Sequence, residues 1–207
     1  MATIIIPTYN AQDHVKTTLA SILECGSGLV SEVIICNDAS IDRSSVIVDD
    51  FIKEHGLSKS WHFIHHDKNM GGAAARNSAA DMSSNDWIFC LDSDNLLTEG
   101  VIEHLYNLSK SHPEGSIFSL KKIGFFVEIF GLNIETHQWI FPSGEYSLGD
   151  HLSNTESPGS SGNYLFSKKA WQKAGKYRLD SLSLDSWCFA LDALNNNIKM
   201  IVSDNDE

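Results

Sequence analysis

The stretch Trp87-Ile88-Phe89-Cys90-Leu91-Asp92-Ser93-Asp94-Asn95 indicates which fold this chain adopts. A short apolar run ends there in two carboxylates that are separated by one residue. Such a run is typical of a strand buried on both faces of a parallel sheet. In open α/β sheets, ligands bind beyond the carboxyl ends of the strands. Two acids at that point suit a hard divalent cation whose other ligands are waters and phosphates, with a simple acidic turn as the alternative.

The composition describes one ordinary globular domain over residues 1–207, with 42% hydrophobic and 20% charged residues. The net charge of −12 argues against nucleic acid as a partner, because a phosphate-backbone binder needs a basic face. Any bound phosphate must therefore be neutralised locally. The four cysteines are widely spaced, and no apolar run reaches 18 residues. These features predict a reducing, cytoplasmic compartment and no membrane span, with the inner face of a membrane as an alternative location.

The order of apolar runs predicts an α/β fold with a mostly parallel sheet flanked by helices. Strands are expected at 3–6, 32–36, 61–64 and 87–91, with helices after Asn10, Asp42 and Gly71. Beyond residue 95 the pattern predicts a helix over 98–111, ended by Pro113, and a smaller, partly antiparallel sheet within 117–141. A polar loop is expected over 149–162, a strand over 163–166 and a helix over 167–174. A last helix should begin at Ser183 or Asp185, and a final strand should span 198–202.

Polar residues follow three of the predicted strands, at Thr8-Tyr9-Asn10, Asn37-Asp38-Ala39-Ser40 and Asp92-Ser93-Asp94. Because the carboxyl ends of parallel strands share one edge of the sheet, these segments are expected to meet around one ligand. The helix that opens at Gly71 adds backbone N–H groups near this edge, and Arg76 adds a fork of donors suited to phosphate.

These motifs give the chain its resemblance to the family 2 glycosyltransferases of the GT-A fold. The matching segments are Ile5 to Asn10, Asn37 to Asp42, Asn69 to Asn77, Leu91 to Asp94 and Gly162 to Tyr177. The resemblance implies a GT-A-like, Rossmann-related sheet. It also implies that residues 1–95 bind a nucleotide sugar and that residues 96–207 bind the acceptor.

The resemblance assigns the nucleotide base to three residues. Pro7 and Tyr9 would contact the base, with Tyr9 stacking on it, and Asp38 would accept a hydrogen bond from the base edge. The alternative for Asp38 is a turn or helix-capping residue.

The resemblance assigns the diphosphate and its metal ion to three further residues. Arg76 would lie near the diphosphate or hold the Asp-x-Asp loop, with a solvated helix arginine as the alternative. Asp92 would reach the ribose or a metal-bound water, and Asp94 would ligate Mg²⁺ or Mn²⁺ that bridges the diphosphate.

The catalytic base is assigned to Asp185, because family members carry acids at the start of the last helix. The second acid of that pair is replaced by Ser186, whose hydroxyl is no base near neutral pH, and Asp192 falls where an arginine is frequent. A helix N-cap is an equally weighted alternative for Asp185. The family's metal site often includes a histidine downstream of the last strand, and this chain ends before that position. His62, His65 and His66 are interpreted as surface or strand-end residues.

The function implied is metal-assisted transfer of a sugar from a nucleoside-diphosphate donor to a hydroxyl with inversion. The expected donor is a UDP-hexose or UDP-N-acetylhexosamine, and the expected acceptor is a saccharide or glycoconjugate. A non-catalytic sugar-nucleotide or carbohydrate-binding module is the first alternative. A nucleotidyltransferase is a weaker one, because Pro7-Thr8-Tyr9-Asn10 lacks the glycine-rich and basic loop of that class. The end at Glu207, just past a predicted strand, slightly favours a fragment of a longer chain.

Overall fold

The computed structural model describes residues 1–112, 115–129, 132–153, 157–158 and 162–204. The first half alternates strands and helices: β1 (Ala2–Thr8), α1 (Val15–Cys25), β2 (Val30–Asn37), α2 (Ser44–Glu54), β3 (Trp61–His65), α3 (Gly72–Met82) and β4 (Trp87–Cys90). The second half contains α4 (Val101–Lys110), β5 (Ser116–Ser119), β6 (Lys122–Ile129), β7 (Leu132–Ile140), β8 (Gly144–Tyr146), α5 (Leu148–Ser153), β9 (Tyr164–Ser167), α6 (Lys168–Ala174), α7 (Asp185–Asn195) and β10 (Lys199–Val202).

Eight strands form one sheet in the order β3-β2-β1-β4-β9-β5-β10-β8. Strands β1 to β4 pair in parallel, as do β5 and β10. Strand β9 lies antiparallel between β4 and β5, and β8 lies antiparallel at the edge. Strands β6 and β7 form a separate antiparallel pair. The predicted fold class, a mostly parallel sheet with a smaller antiparallel one, is confirmed.

Alternating strand residues divide the core into two apolar layers, one on each face of the sheet. One layer packs the face that carries Ile5 and Cys90 against α3, α6 and α7. The other packs the face that carries Ile4 and Phe89 against α1, α2 and α4. Because both faces are covered, the central strands are apolar throughout, which explains the uninterrupted run that ends at Asp92.

The sequence prediction was wrong about the end of β1 and the start of α1. Strand β1 continues through Pro7 to Thr8. Its pairing with β4 ends at Ile5, so the missing N–H of Pro7 does not cost a hydrogen bond between these two strands. Helix α1 begins at Val15, so Asn10 does not cap it. Asn10 instead has φ of 49° and accepts a hydrogen bond from the Ile41 N–H at 3.0 Å.

Two later elements also differ from the prediction. Helix α4 begins at Val101 rather than residue 98, after Gly100 in the left-handed conformation. The polar loop expected at 149–162 begins with α5, whose His151 is buried. Residues 154–156 and 159–161 of that loop and Pro113 lie outside the described residues.

Candidate active site

A pocket lies beyond the carboxyl ends of β1, β2 and β4, where the parallel topology places these three ends side by side. Its lining includes every residue predicted to bind nucleotide or metal: Pro7, Tyr9, Asp38, Arg76, Asp92 and Asp94. Thr8, Gly72, Ala75 and Ser93 complete the lining. The structure therefore brings together side chains that are up to 87 residues apart in sequence.

The loops that form this pocket are tied to one another by side-chain hydrogen bonds. Asp42 accepts from the backbone N–H of Gln12 at 3.0 Å and of Ser44 at 2.9 Å, so it links the loop after β1 to the start of α2. Burial opposes its ionisation, but hydrogen bonds from the Ser44 side chain and from these backbone groups prevail and lower the pKa of Asp42. Tyr9 lines the pocket with 48% of its surface exposed, as a ring that stacks on a ligand requires.

Asp38 is almost fully buried, at 2% exposure, and receives three hydrogen bonds from the protein. Its Oδ1 accepts from His66 Nδ1 at 2.7 Å and from the Met70 N–H at 2.9 Å, and its Oδ2 accepts from the Gly71 N–H at 2.7 Å. Asp38 thus holds the segment before α3 against the end of β2. His66, interpreted from the sequence as a surface or strand-end residue, lies directly after β3, and the pairing of Asn37 with His65 brings it beside Asp38.

The Asp-x-Asp turn is held in place by α1 and by the segment before β9. The Thr18 hydroxyl donates to the Ser93 carbonyl at 2.9 Å, and the Asn95 N–H donates to the Asp92 carbonyl at 3.0 Å. The Asn95 side chain also donates to Asn163 Oδ1 at 3.2 Å. Asp94 is exposed on the pocket side of this turn. A fixed backbone and an exposed carboxylate are what a metal-binding turn needs.

Arg76 joins the two halves of the site. Its Nη2 donates to Asp92 Oδ1 at 2.5 Å, and its Nη1 donates to Asp185 Oδ2. Burial disfavours its charge, but the attraction of Asp92 and Asp185 prevails and raises the pKa of Arg76 well above its ordinary value. Since Arg76 is only 7% exposed, a solvated helix arginine is excluded.

Asp185 is the first residue of α7 and is 8% exposed. The N-cap position belongs to Leu184, which makes no side-chain cap bond, so the N-cap alternative for Asp185 is wrong. The carboxylate instead turns to Arg76, and its Oδ1 accepts from the Ser186 N–H at 2.9 Å. Asp192, predicted to stand where an arginine is frequent, pairs with Arg178 at 2.5 Å.

A second pocket adjoins the first and shares Arg76 and Asp92 with it. Its remaining lining is the start of α7: Ser183, Leu184, Asp185, Ser186 and Trp187. Two glycines allow the backbone to pack closely against the side chains of Arg76 and Asp92. A Cβ on Gly72 would lie 2.8 Å from Arg76 Nη1, and one on Gly162, whose φ is 72°, would lie 2.6 Å from Asp92 Oδ2.

The residues at this sheet edge fit a Mg²⁺- or Mn²⁺-type site that depends on its ligand for completion. Within the described ranges no group of three or more histidine, cysteine or acidic side chains is placed to hold a metal ion. Asp92 and Asp94 are two carboxylates on one pocket wall. Magnesium is commonly bound by one or two carboxylates together with waters and substrate phosphates, and two acids suffice for such a site.

Comparison with known proteins places this geometry in a known family. The family model described as Glycosyl transferase family 2 matches residues 3–173. The chain is 29% identical over 198 residues to the poly(ribitol-phosphate) β-N-acetylglucosaminyltransferase TarP of Staphylococcus aureus, covering 94% of this chain and 57% of that protein. It is 27% identical over 187 residues to the poly-β-1,6-N-acetyl-D-glucosamine synthase of Staphylococcus epidermidis, covering 88% and 44%. The chain spans about half the length of these relatives.

Solved structures show the same fold. TarS 1–349 of S. aureus in complex with UDP superposes with a TM-score of 0.73 at 16% identity, covering 99% of this chain and 58% of that one. The mannosyltransferase PcManGT of Pyrobaculum calidifontis, in complex with GDP-Man and Mn²⁺, gives 0.70 at 16% identity, covering 98% and 54%. These likenesses establish the GT-A fold. Separately, no helix among the described residues is both long and apolar enough to cross a membrane.

Proposed function

The chain belongs to glycosyl transferase family 2, and on that premise we propose that it transfers a sugar from a nucleoside-diphosphate donor to a hydroxyl group. We take the acceptor to be a saccharide or glycoconjugate and the sugar to be a hexose or N-acetylhexosamine. The observation that supports this most is the convergence of Pro7, Tyr9, Asp38, Arg76, Asp92 and Asp94 on one pocket. The four free cysteines agree with a cytoplasmic location, where thiols stay reduced.

In this proposal the first pocket holds the nucleoside diphosphate. Tyr9 stacks on the base, Asp38 accepts from its edge, and Asp92 and Asp94 hold Mg²⁺ or Mn²⁺ beside the diphosphate. Such an ion, when bound, supplies positive charge opposite the leaving diphosphate. The relevance of a divalent cation is supported by Mn²⁺ in the complex of the structurally similar mannosyltransferase. The acidic charge of this chain makes local neutralisation of the donor necessary.

The second pocket receives the acceptor, and Asp185 takes the proton of its attacking hydroxyl. Asp185 lines this pocket, and its carboxylate is oriented by Arg76 and by the Ser186 N–H. A base that acts on an acceptor in a pocket beside the donor fits a single displacement, so we propose inversion at the anomeric carbon. Positioning of this kind contributes much of the rate in group transfer.

The experiment that tests this function combines binding with turnover. Calorimetry of UDP with Mn²⁺ should show binding, and a panel of UDP-hexoses and UDP-N-acetylhexosamines should show release of UDP for at least one sugar. Asp185→Asn should spare donor binding and stop turnover, whereas Asp180→Asn, an exposed acid on the preceding loop, should leave both intact. Absence of nucleotide binding in the presence of Mn²⁺ would refute the proposal.

A second candidate function, a non-catalytic nucleotide-sugar-binding domain, is favoured by two observations at the start of α7. Ser186 stands where the family resemblance places the second acid, and Asp185 is engaged in a buried ion pair. UDP-sugar binding without hydrolysis or transfer by any member of the panel, in the full-length protein, would support this candidate instead.

A further inference from the structure

The charged side chains of the second pocket restrict which acceptors it can hold. Among the described residues, its lining carries one cation, Arg76, and the carboxylates of Asp92 and Asp185. Both Nη atoms of Arg76 donate to these carboxylates, so the guanidinium charge is balanced within the protein. If Asp92 faces a metal ion in the first pocket, Arg76 and Asp185 still cancel each other. The pocket therefore offers no unpaired positive charge to a ligand.

The N-terminus of α7, which adjoins the pocket, does not supply that missing charge. The N-terminus of a helix attracts anions, because its first N–H groups are unpaired and its dipole is positive there. In α7 this position is taken by the first residue, Asp185, whose Oδ1 accepts from the Ser186 N–H at 2.9 Å. A phosphate in the pocket would lie beside carboxylates without a cation of its own, which is unfavourable.

The apolar part of the pocket is the side chain of Trp187, which is half-buried. An indole face has negative electrostatic potential and attracts polarised C–H groups. The pyranose ring of a sugar presents a face of such C–H groups, with hydroxyl groups around its rim. Ser183 and Ser186 also line the pocket, and their hydroxyls can both donate to and accept from those of a sugar. The lining therefore matches a neutral sugar ring.

His151 on α5 supports this indole from the protein side. Its imidazole stacks on the Trp187 ring, with ring centroids 4.9 Å apart and planes inclined by 24°. Burial lowers the pKa of His151, so the ring is neutral near pH 7 and carries one N–H. Because a carbonyl only accepts, that proton is on Nε2 and is donated to the Trp187 carbonyl at 3.1 Å. Nδ1 then accepts from the Ser157 hydroxyl at 2.6 Å, so His151 holds both the ring and the backbone of Trp187.

We propose that the second pocket accepts a neutral sugar ring stacked on Trp187, rather than a phosphate-bearing polyol, with His151 as the positioning residue. The C–H face of the sugar packs on the indole, and one of its hydroxyl groups faces Asp185. The inference rests on the proposed function, since it assumes that the second pocket receives the acceptor. It narrows that acceptor to one whose reacting unit is an uncharged ring.

The test measures the binding of acceptor probes to the 207-residue chain saturated with UDP and Mg²⁺. The neutral probes are cellobiose, lactose, mannobiose and diacetylchitobiose, and the anionic probes are ribitol phosphate and glycerol phosphate. NMR titration should detect binding of at least one disaccharide, and both polyol phosphates should bind at least about tenfold more weakly than that disaccharide. Saturation transfer from the protein should be strongest at the C–H protons on one face of the sugar.

Variants of Trp187 and His151 separate stacking from folding. Trp187→Leu keeps an apolar side chain without the aromatic ring, and it should weaken disaccharide binding roughly three- to tenfold. Trp187→Phe should retain most of the affinity. His151→Ala should weaken disaccharide binding severalfold, and His151→Gln, which retains an N–H donor for the Trp187 carbonyl, should restore part of it. UDP affinity should be the same in all four variants, whereas a general loss of structure would lower both affinities.

The matched control is Trp139→Ala. Trp139 lies on β7, is 40% exposed and is outside the described lining of both pockets, so disaccharide affinity should be unchanged. An equal loss in this control, unchanged affinity in Trp187→Leu, or polyol-phosphate binding less than about tenfold weaker would overturn the inference. Binding of no disaccharide would also overturn it, and in each case the binding of UDP leaves the proposed function standing. Absence of UDP binding would overturn both.

Discussion

The two halves of the chain contribute to the site in different ways. In residues 1–95 most site residues lie at the ends of parallel strands, so the topology gathers them at one edge of the sheet, and helix α3 adds Gly72, Ala75 and Arg76. In residues 96–207 single residues reach the site over long sequence distances. Gly162 lies against Asp92, and Asp185 pairs with Arg76 from 109 positions away. Under the proposed function, regular secondary structure builds the donor side, and a few specific contacts join the acceptor side to it.

Replacement of Arg76 is the strongest test of this comparison. Arg76→Met would leave the carboxylates of Asp92 and Asp185 without their cation, and removing one partner of a buried pair costs about 3–5 kcal/mol. Urea unfolding should show this loss, and UDP binding should also fail. Arg178→Met removes an arginine from the partly exposed pair with Asp192, and it should cost much less. Equal losses would show that Arg76 does not join the two halves.

Replacement of Asp94 should affect the donor half alone. Asp94→Asn removes an exposed carboxylate that lines the pocket, so folding should be unchanged while Mn²⁺-dependent UDP binding is lost. UDP affinity should fall by more than the roughly 10- to 100-fold that is typical when a residue supporting a metal ligand is removed. Calorimetry with and without Mn²⁺ measures it. Glu99→Gln, an exposed acid nearby, serves as the control, and an equal effect there would argue against a specific site.

A methyl group at Gly162 tests whether the acceptor half positions the donor site. In Gly162→Ala the new Cβ would press on Asp92 Oδ2, at a backbone φ of 72°. Gly175→Ala places alanine at a φ of 94° with nothing within 4 Å of its Cβ. Both should lose about 1–2 kcal/mol of stability from left-handed backbone strain. Only Gly162→Ala should also weaken UDP binding with Mn²⁺; unchanged affinity would mean that this contact does not set the position of Asp92.

The smallest expected effect is a pH dependence of folding stability that arises at His151, in the second half of the chain. His151 lies 2.6 Å from Ser157 Oγ and 3.1 Å from the Trp187 carbonyl, and burial lowers its pKa. The unfolded chain takes up this proton below about pH 6.5 whereas the folded chain resists it, so stability falls as pH decreases through that value. The loss should be below about 1.4 kcal/mol per pH unit.

Thermal unfolding between pH 7.5 and 5.5 measures this slope. His151→Gln should flatten it, and UDP affinity should be unaffected, because His151 contacts the start of α7 and not the donor pocket. An identical slope in the variant would place the titrating group elsewhere.

The gathering of the first-half residues in one pocket was predictable because its signals are local. The strand that ends at Asp92 and the motifs at Thr8-Tyr9-Asn10 and Asp38 each carry their own structural meaning, and parallel strands place their ends together whatever the details of packing. The errors lie where tertiary contacts override local preference. Asn10 braces a neighbouring loop instead of capping α1, and Pro7 stays within β1 because its neighbour strand has already ended.

Sequence patterns predict the fold class, the family resemblance and the set of residues at one sheet edge, because strand order and strand-end chemistry are encoded within short segments. The contacts of those residues follow from the tertiary structure. The sharing of Arg76 between two acids, the contact of Gly162 with Asp92 and the position of His66 behind Asp38 depend on strand register and helix packing. A single residue of register shift would reverse the side to which a side chain points, and no local pattern contains that information.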